Sequence, residues 1–211
     1  MKVLAINGSH RPRKGTAALL EAALQAARSG GAETELIELS ELNIGYCIGC
    51  NVCMGKPKCT LDDDMHNLVK KMLDADGIIL GSPDYFANVS SRMKTFMERT
   101  RPLHMVANAL KGKVGGAVVT AGLTDCGAEK TLAELDHFFA VQEMLVVHPR
   151  PEGPVMGNGV IATQFGGFDD ECKVKWRRVE SDLVGFNFAR QLGEDMVNLI
   201  ARLKQQPGSP C

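Results

Sequence analysis

Five short apolar runs, each followed by a stretch patterned as a helix, constrain what this chain can fold into more than any other property of its sequence. Residues 3–6, 35–39, 76–81, 114–120 and 144–147 are of strand length and mostly apolar, which suits the strands of a buried parallel sheet. Residues 17–28 are rich in Ala and Leu. Later segments repeat the helical spacing with Met65, Leu68, Val69 and Met72, with Met93, Phe96 and Met97, and with Leu132, Leu135 and Phe139. Strands alternating with helices imply a doubly wound α/β architecture, a parallel sheet covered on both faces. With 211 residues, 45% of them hydrophobic, and no shift of composition, a single domain over 1–211 is expected. Residues 148–168 show no period and read as an insertion or interface arm. A last helix is expected from about 179 to 203, before a polar tail.

The loop Asn7-Gly-Ser-His-Arg-Pro-Arg-Lys-Gly-Thr16 lies between the first strand and the first helix. Free amides at a helix start, with Ser9, Arg11, Gly15 and Thr16 around them, suit an anion such as a phosphate monoester. The loop has neither the Gly-Lys-Thr ending of a Walker loop nor G-x-G-x-x-G, which argues against nucleoside triphosphate chemistry. A plain surface loop with Thr16 capping the helix is the competing reading. A polar loop after strand one favours the flavodoxin-like strand order 2-1-3-4-5, with ligand at the switch between strands one and three. Three loops then meet: the first, a second carrying Pro83, Asp84, Tyr85, Phe86, Asn88 and Val89, and a third with Thr120, Ala121 and Gly122. Phosphate donors beside apolar surface and backbone hydrogen bonds fit FMN.

Four of the seven cysteines fall in one loop after strand two, Cys47, Cys50, Cys53 and Cys59, spaced C-x2-C-x2-C-x5-C. Three thiols at intervals of three in a tight loop containing Gly49 and Gly55 turn toward one centre, the arrangement a 4Fe-4S cube requires. Zinc more often takes two separate C-x2-C pairs. A disulfide or free-thiol redox loop is the third reading. Asp62, Asp63 and Asp64, just beyond, read as cap and dipole partners of the next helix.

The formal net charge of -1 argues against nucleic acid or an anionic membrane as partner. The opening apolar run is too short for a signal-peptide core, and no later segment approaches a membrane span. A cytoplasmic location is expected, where reduced thiols favour metal binding over disulfides.

Gly8-Ser9-x-Arg11, Ser82-Pro83-x-Tyr85-Phe86 with Val89-Ser90 behind it, and the cysteine loop followed by Asp63-Asp64-Met65 resemble the NADPH-dependent FMN reductase superfamily. Within it, the four-cysteine loop resembles the iron-sulfur flavoproteins of anaerobic archaea and bacteria. The resemblance covers residues 1 to about 147. It implies FMN, a 4Fe-4S cluster on Cys47, Cys50, Cys53 and Cys59, and a homodimer able to pair into a homotetramer. It also implies small-molecule acceptors such as oxygen, peroxide or quinones. The family commonly reads Gly-Asn-Thr at the helix start, and Lys14-Gly15-Thr16 departs from that.

A flavin exchanges one or two electrons and a cluster one, so the pair together converts between the two chemistries, with ferredoxin as the expected one-electron donor. The alternative is an NAD(P)H-dependent FMN or quinone reductase whose cysteine loop holds zinc or nothing; a redox sensor without turnover is a third possibility. No catalytic acid-base pair is evident. His10 and Cys126 in the flavin loops read as incidental, and Cys172 and Cys211 as unligated thiols. In the 2-1-3-4-5 order strand two is at the edge, away from the flavin ring, so the expected electron path joins the cluster of one subunit to the FMN of its neighbour.

Overall fold

The computed structural model describes residues 1–152, 157 and 159–205. Its elements are β1 (Lys2–Asn7), α1 (Gly15–Ser29), β2 (Glu33–Glu38), α2 (Met65–Asp74), β3 (Gly77–Pro83), α3 (Ser91–Arg99), α4 (Arg101–Met105), β4 (Val114–Ala121), α5 (Ala128–Val141), β5 (Leu145–Val146), β6 (Val160–Thr163), β7 (Phe165–Phe168), β8 (Val174–Trp176) and α6 (Leu183–Gln205). The main sheet runs β2-β1-β3-β4-β5 with every pair parallel, the flavodoxin-like order that the sequence leads one to expect. Residues 47–59 follow β2. No helix among the described residues is long and apolar enough to cross a membrane.

Side chains alternate across β1, so Leu4 and Ile6 join one apolar layer and Val3 and Ala5 the other. The first layer packs Met65 and Met72 of α2, Met93 and Phe96 of α3, and Leu135 and Phe139 of α5. The second packs Leu19, Leu20 and Leu24 of α1 with Leu192, Met196 and Ile200 of α6. Every residue of β3 and β4 is buried between the layers. α1 and α6 approach so closely that a Cβ at Gly193 would lie 2.0 Å from the Ala23 carbonyl oxygen, which leaves glycine as the residue that fits.

The fifth position of the sheet corrects the expectation of one strand over 144–147. β5 contributes two residues, paired with Val114 and Gly115, and β6 completes the position beside Val118 to Ala121. Val160–Thr163, inside the segment expected as an insertion or interface arm, therefore belongs to the sheet, although no period marks it. β7 and β8 form a separate antiparallel hairpin. The last helix starts at Leu183, later than expected: Val179–Ser181 is a 3₁₀ turn. Asp182 then accepts the Gly185 amide on Oδ1 at 3.2 Å and starts α6. Cys211 and the tail lie outside the described residues.

Candidate functional site

The carboxyl end of β1 is fixed by buried polar groups. Asn7 donates through Nδ2 to Glu38 Oε2 at 2.7 Å and accepts the Ser9 amide on Oδ1 at 3.0 Å. The other Glu38 oxygen accepts the amide of Arg13 at 3.0 Å, where the chain takes a positive φ of 56°. Gly8 lies against α3, and a Cβ there would sit 2.7 Å from that of Met93. These contacts aim residues 9–14 at the start of α1, whose flanking Lys14 makes no side-chain cap. The first-turn amides thus face a crevice with Arg11, Arg13 and Lys14 on its wall. Uncapped amides and three cations suit a phosphate. Thr16 does not cap the helix, because its hydroxyl bonds Thr120 at 2.7 Å.

Of the residues expected to hold the cofactor, Ser9, Arg11, Gly15, Thr16, Pro83 and Thr120 line this one crevice. Tyr85, Phe86 and Asn88 stand on the neighbouring loop. There Tyr85 and Asn88 exchange backbone bonds of 3.0 and 3.2 Å around Phe86 and Ala87, both at positive φ. The Phe86 ring is fully exposed. Two non-glycine residues in that conformation store strain at a loop tip, a common feature of binding loops. Gly127 makes room for the turn, since a Cβ there would lie 2.3 Å from that of Ala87. Asp84 points elsewhere, accepting from Thr131 Oγ1 at 2.5 Å and from the Cys126 thiol at 3.3 Å. Val89 is core, and Ala121 is buried at the end of β4. Gly122 lies under Trp176, whose ring would be 3.5 Å from a Cβ at that position.

His10 stacks on Tyr85 with centroids 5.8 Å apart and accepts on Nδ1 from Arg92 Nε at 3.2 Å. Cys126 is no activated thiol: burial, then the Asp84 carboxylate it bonds, push its pKa up.

The cysteine loop leaves β2 through a 3₁₀ turn, Leu39–Glu41, and forms a second such turn at Val52–Met54 after the left-handed residues Gly49 and Asn51. Cys47, Cys50, Cys53 and Cys59 line one pocket, with Lys58, Glu98, Arg99 and Arg101 on its wall. Thr60 stands 3.5 Å from the Cys50 sulfur; its hydroxyl, then the Val52 amide, holds that thiol below the ordinary cysteine range. No three His, Cys, Asp or Glu side chains among the described residues come together closely enough to hold a metal ion as they stand. Gly49 and Gly55 have nothing within 4 Å of a would-be Cβ, so the loop has room to draw in. Four thiols from one loop beside three cations fit an anionic thiolate-ligated cluster. Asp63, expected as a helix cap, does accept the Met65 amide at 3.2 Å but also pairs with Arg99.

Sequence reasoning missed Gln164, Arg178, Val179 and Glu180, which reach the phosphate-type crevice from the C-terminal part of the chain. The apolar run at 160–163 was the available signal. It also missed Arg99, whose signal was a charge on the apolar face that Met93 and Phe96 define.

The model of the family described as NADPH-dependent FMN reductase matches residues 1–151. The chain belongs to this family. An iron-sulfur flavoprotein of Methanocaldococcus jannaschii is 39% identical over 206 residues, 97% of this chain and all of that one. Another, from Archaeoglobus fulgidus, is 33% identical over 204 residues, 97% of this chain and 98% of that one. The family and these relatives make the chain a flavoprotein oxidoreductase. A solved structure of RosB with 8-demethyl-8-formylriboflavin-5'-phosphate superposes with a TM-score of 0.72 at 17% identity, covering 99% of this chain and 82% of that one, and so shares the fold.

Proposed function

We propose that the protein is an iron-sulfur flavoprotein that takes single electrons from a ferredoxin-type donor and delivers them to a small acceptor such as oxygen, peroxide or a quinone. Cys47, Cys50, Cys53 and Cys59 would hold a 4Fe-4S cluster. The crevice of Ser9, Arg11, Gly15, Thr16, Pro83 and Thr120 would hold FMN, with Tyr85, Phe86, Asn88, Ala121 and Gly122 around its ring. When bound, the two groups supply one-electron and two-electron chemistry side by side. The observation that carries this reading is that all four cysteines of one loop face a single cavity together with Lys58, Arg99 and Arg101. Lys58 and Arg101 offset the charge of the thiolates, and Leu61 and Pro102 add apolar wall. Arg11, Arg13 and Lys14 orient a phosphate at the start of α1.

The outer face of the cysteine loop exposes Tyr46, Ile48, Val52 and Met54. Exposed apolar residues grouped in one loop suit a protein contact, and they support a homodimer or homotetramer in which one subunit's cluster serves its neighbour's flavin. Cytoplasmic residence follows from the need to keep four thiols reduced.

The test is metal and sulfide analysis of anaerobically purified protein together with its visible spectrum. Iron, sulfide and a broad band beyond the flavin peaks are expected. Zinc with flavin peaks alone, and rapid bleaching by NADPH without ferredoxin, would assign the protein to direct NAD(P)H-dependent reduction instead.

A further inference from the structure

Arg99 is the largest fully buried side chain among the described residues, an unusual position for a guanidinium. Its Nη1 donates to Asp63 Oδ2 and to the Gly45 carbonyl, both at 2.6 Å, and its Nη2 to Asp63 Oδ1 at 3.0 Å. Asp63 in turn accepts the Gly45 amide at 3.0 Å. The pair therefore ties the chain entering the cysteine loop at Gly45 to the chain leaving it at Asp63. One nitrogen is left over: Nε is buried and has no hydrogen-bond partner. Buried N–H groups without acceptors are rare and call for an explanation. Arg99 lines the four-cysteine cavity. Burial works against its charge, but Asp63 and the nearby Cys59 sulfur together hold its pKa above the ordinary arginine value.

We propose that Arg99 is a positioning residue of this cavity, its Nε–H donating to the Cys59 sulfur when that sulfur is a cluster ligand, with Asp63 fixing the angle of the guanidinium. This rests on the cluster reading proposed above. A hydrogen bond donated to a ligating sulfur draws charge from it, stabilises the more negative reduced cluster and raises its reduction potential. A salt bridge that merely closed the loop would change stability and leave the potential alone.

The experiment is a reductive titration of the anaerobically purified, cluster-loaded protein, followed by the paramagnetic resonance of the reduced cluster, in wild type, Arg99→Lys and Asp63→Glu. Lysine keeps the charge and loses both the fork and Nε. The ratio of reduced to oxidised Arg99→Lys cluster at a fixed potential should fall about tenfold, equivalent to a shift of about 59 mV to more negative values for a one-electron couple. Asp63→Glu, which keeps the carboxylate charge and moves the guanidinium, should shift it the same way by less, with the flavin potential unchanged in both. An iron-loaded Arg99→Lys protein that titrates like wild type overturns the proposal. If Arg99→Lys takes up no iron, Asp63→Glu decides by the same criterion. Loss of iron from both variants assigns the pair to loop closure alone and also overturns it. Iron-free wild type would instead sink the cluster reading itself, so the two failures are distinguishable.

Discussion

Thr16 and Thr120 share a 2.7 Å hydroxyl hydrogen bond that locks the first turn of α1 to the carboxyl end of β4. Both residues are buried and both line the crevice. Thr120→Val leaves the Thr16 hydroxyl without this partner, at a cost of about 1–3 kcal/mol for a buried unsatisfied group. We expect a matching fall in unfolding free energy in urea and a several-fold weaker FMN, with iron content unchanged.

Arg11 stands at the crevice wall, positioned by its own amide donating to Ser9 Oγ at 3.1 Å. A charge-assisted bond to phosphate contributes about 1.5–3 kcal/mol, or roughly a 10- to 100-fold change in affinity. Arg11→Ala should lose FMN by that factor in a flavin fluorescence titration while retaining its iron.

Cys50 is the exposed member of the four thiols. Cys50→Ser replaces a soft ligand with a hard one and should abolish the broad visible band while FMN persists. Loss of both cofactors from a folded chain would contradict two separate sites.

The Asp63 carboxyl would be raised by burial, but Arg99 and the amides of Gly45 and Met65 hold it below the ordinary aspartate value. A carboxylate with a lowered folded pKa adds stability above its unfolded value of about 3.9 and loses it as pH falls through the folded value. Wild-type stability, followed by circular dichroism, should therefore drop steeply below about pH 4. Asp63→Asn should be less stable at neutral pH by roughly 3 kcal/mol or more, because it breaks a buried pair, and should show a flatter acid limb.

Ala87 sits at φ 55° in a turn whose two central residues both need positive φ, the geometry that favours glycine. Ala87→Gly should stabilise the chain by about 0.5–1 kcal/mol. For a domain of this size that is a rise of about 1–4 °C in Tm.

The strand order and both loops were legible because burial leaves a direct trace: residues 3–6 and 77–80 are apolar without interruption, and the cysteines announce themselves by spacing. Thr16, which capping statistics would place on the helix end, instead reaches β4, a partner 104 residues away that no local pattern reveals. β6 escaped notice because four residues among glycines and prolines carry too little period to read. Asp63 looked like a local cap because its decisive partner, Arg99, lies 36 residues on. What sequence hid in each case was a side chain whose role depends on a distant element.

β4 is hydrogen-bonded at its start by β5 and at its end by β6, two separate short strands occupying one sheet position. Each half is paired to β4 in its own register. A peptide tag or a small folded module spliced between Val147 and Gly159 should leave the cofactor crevice in place. That stretch is therefore the natural port for tethering this protein to an electrode or to an engineered redox partner.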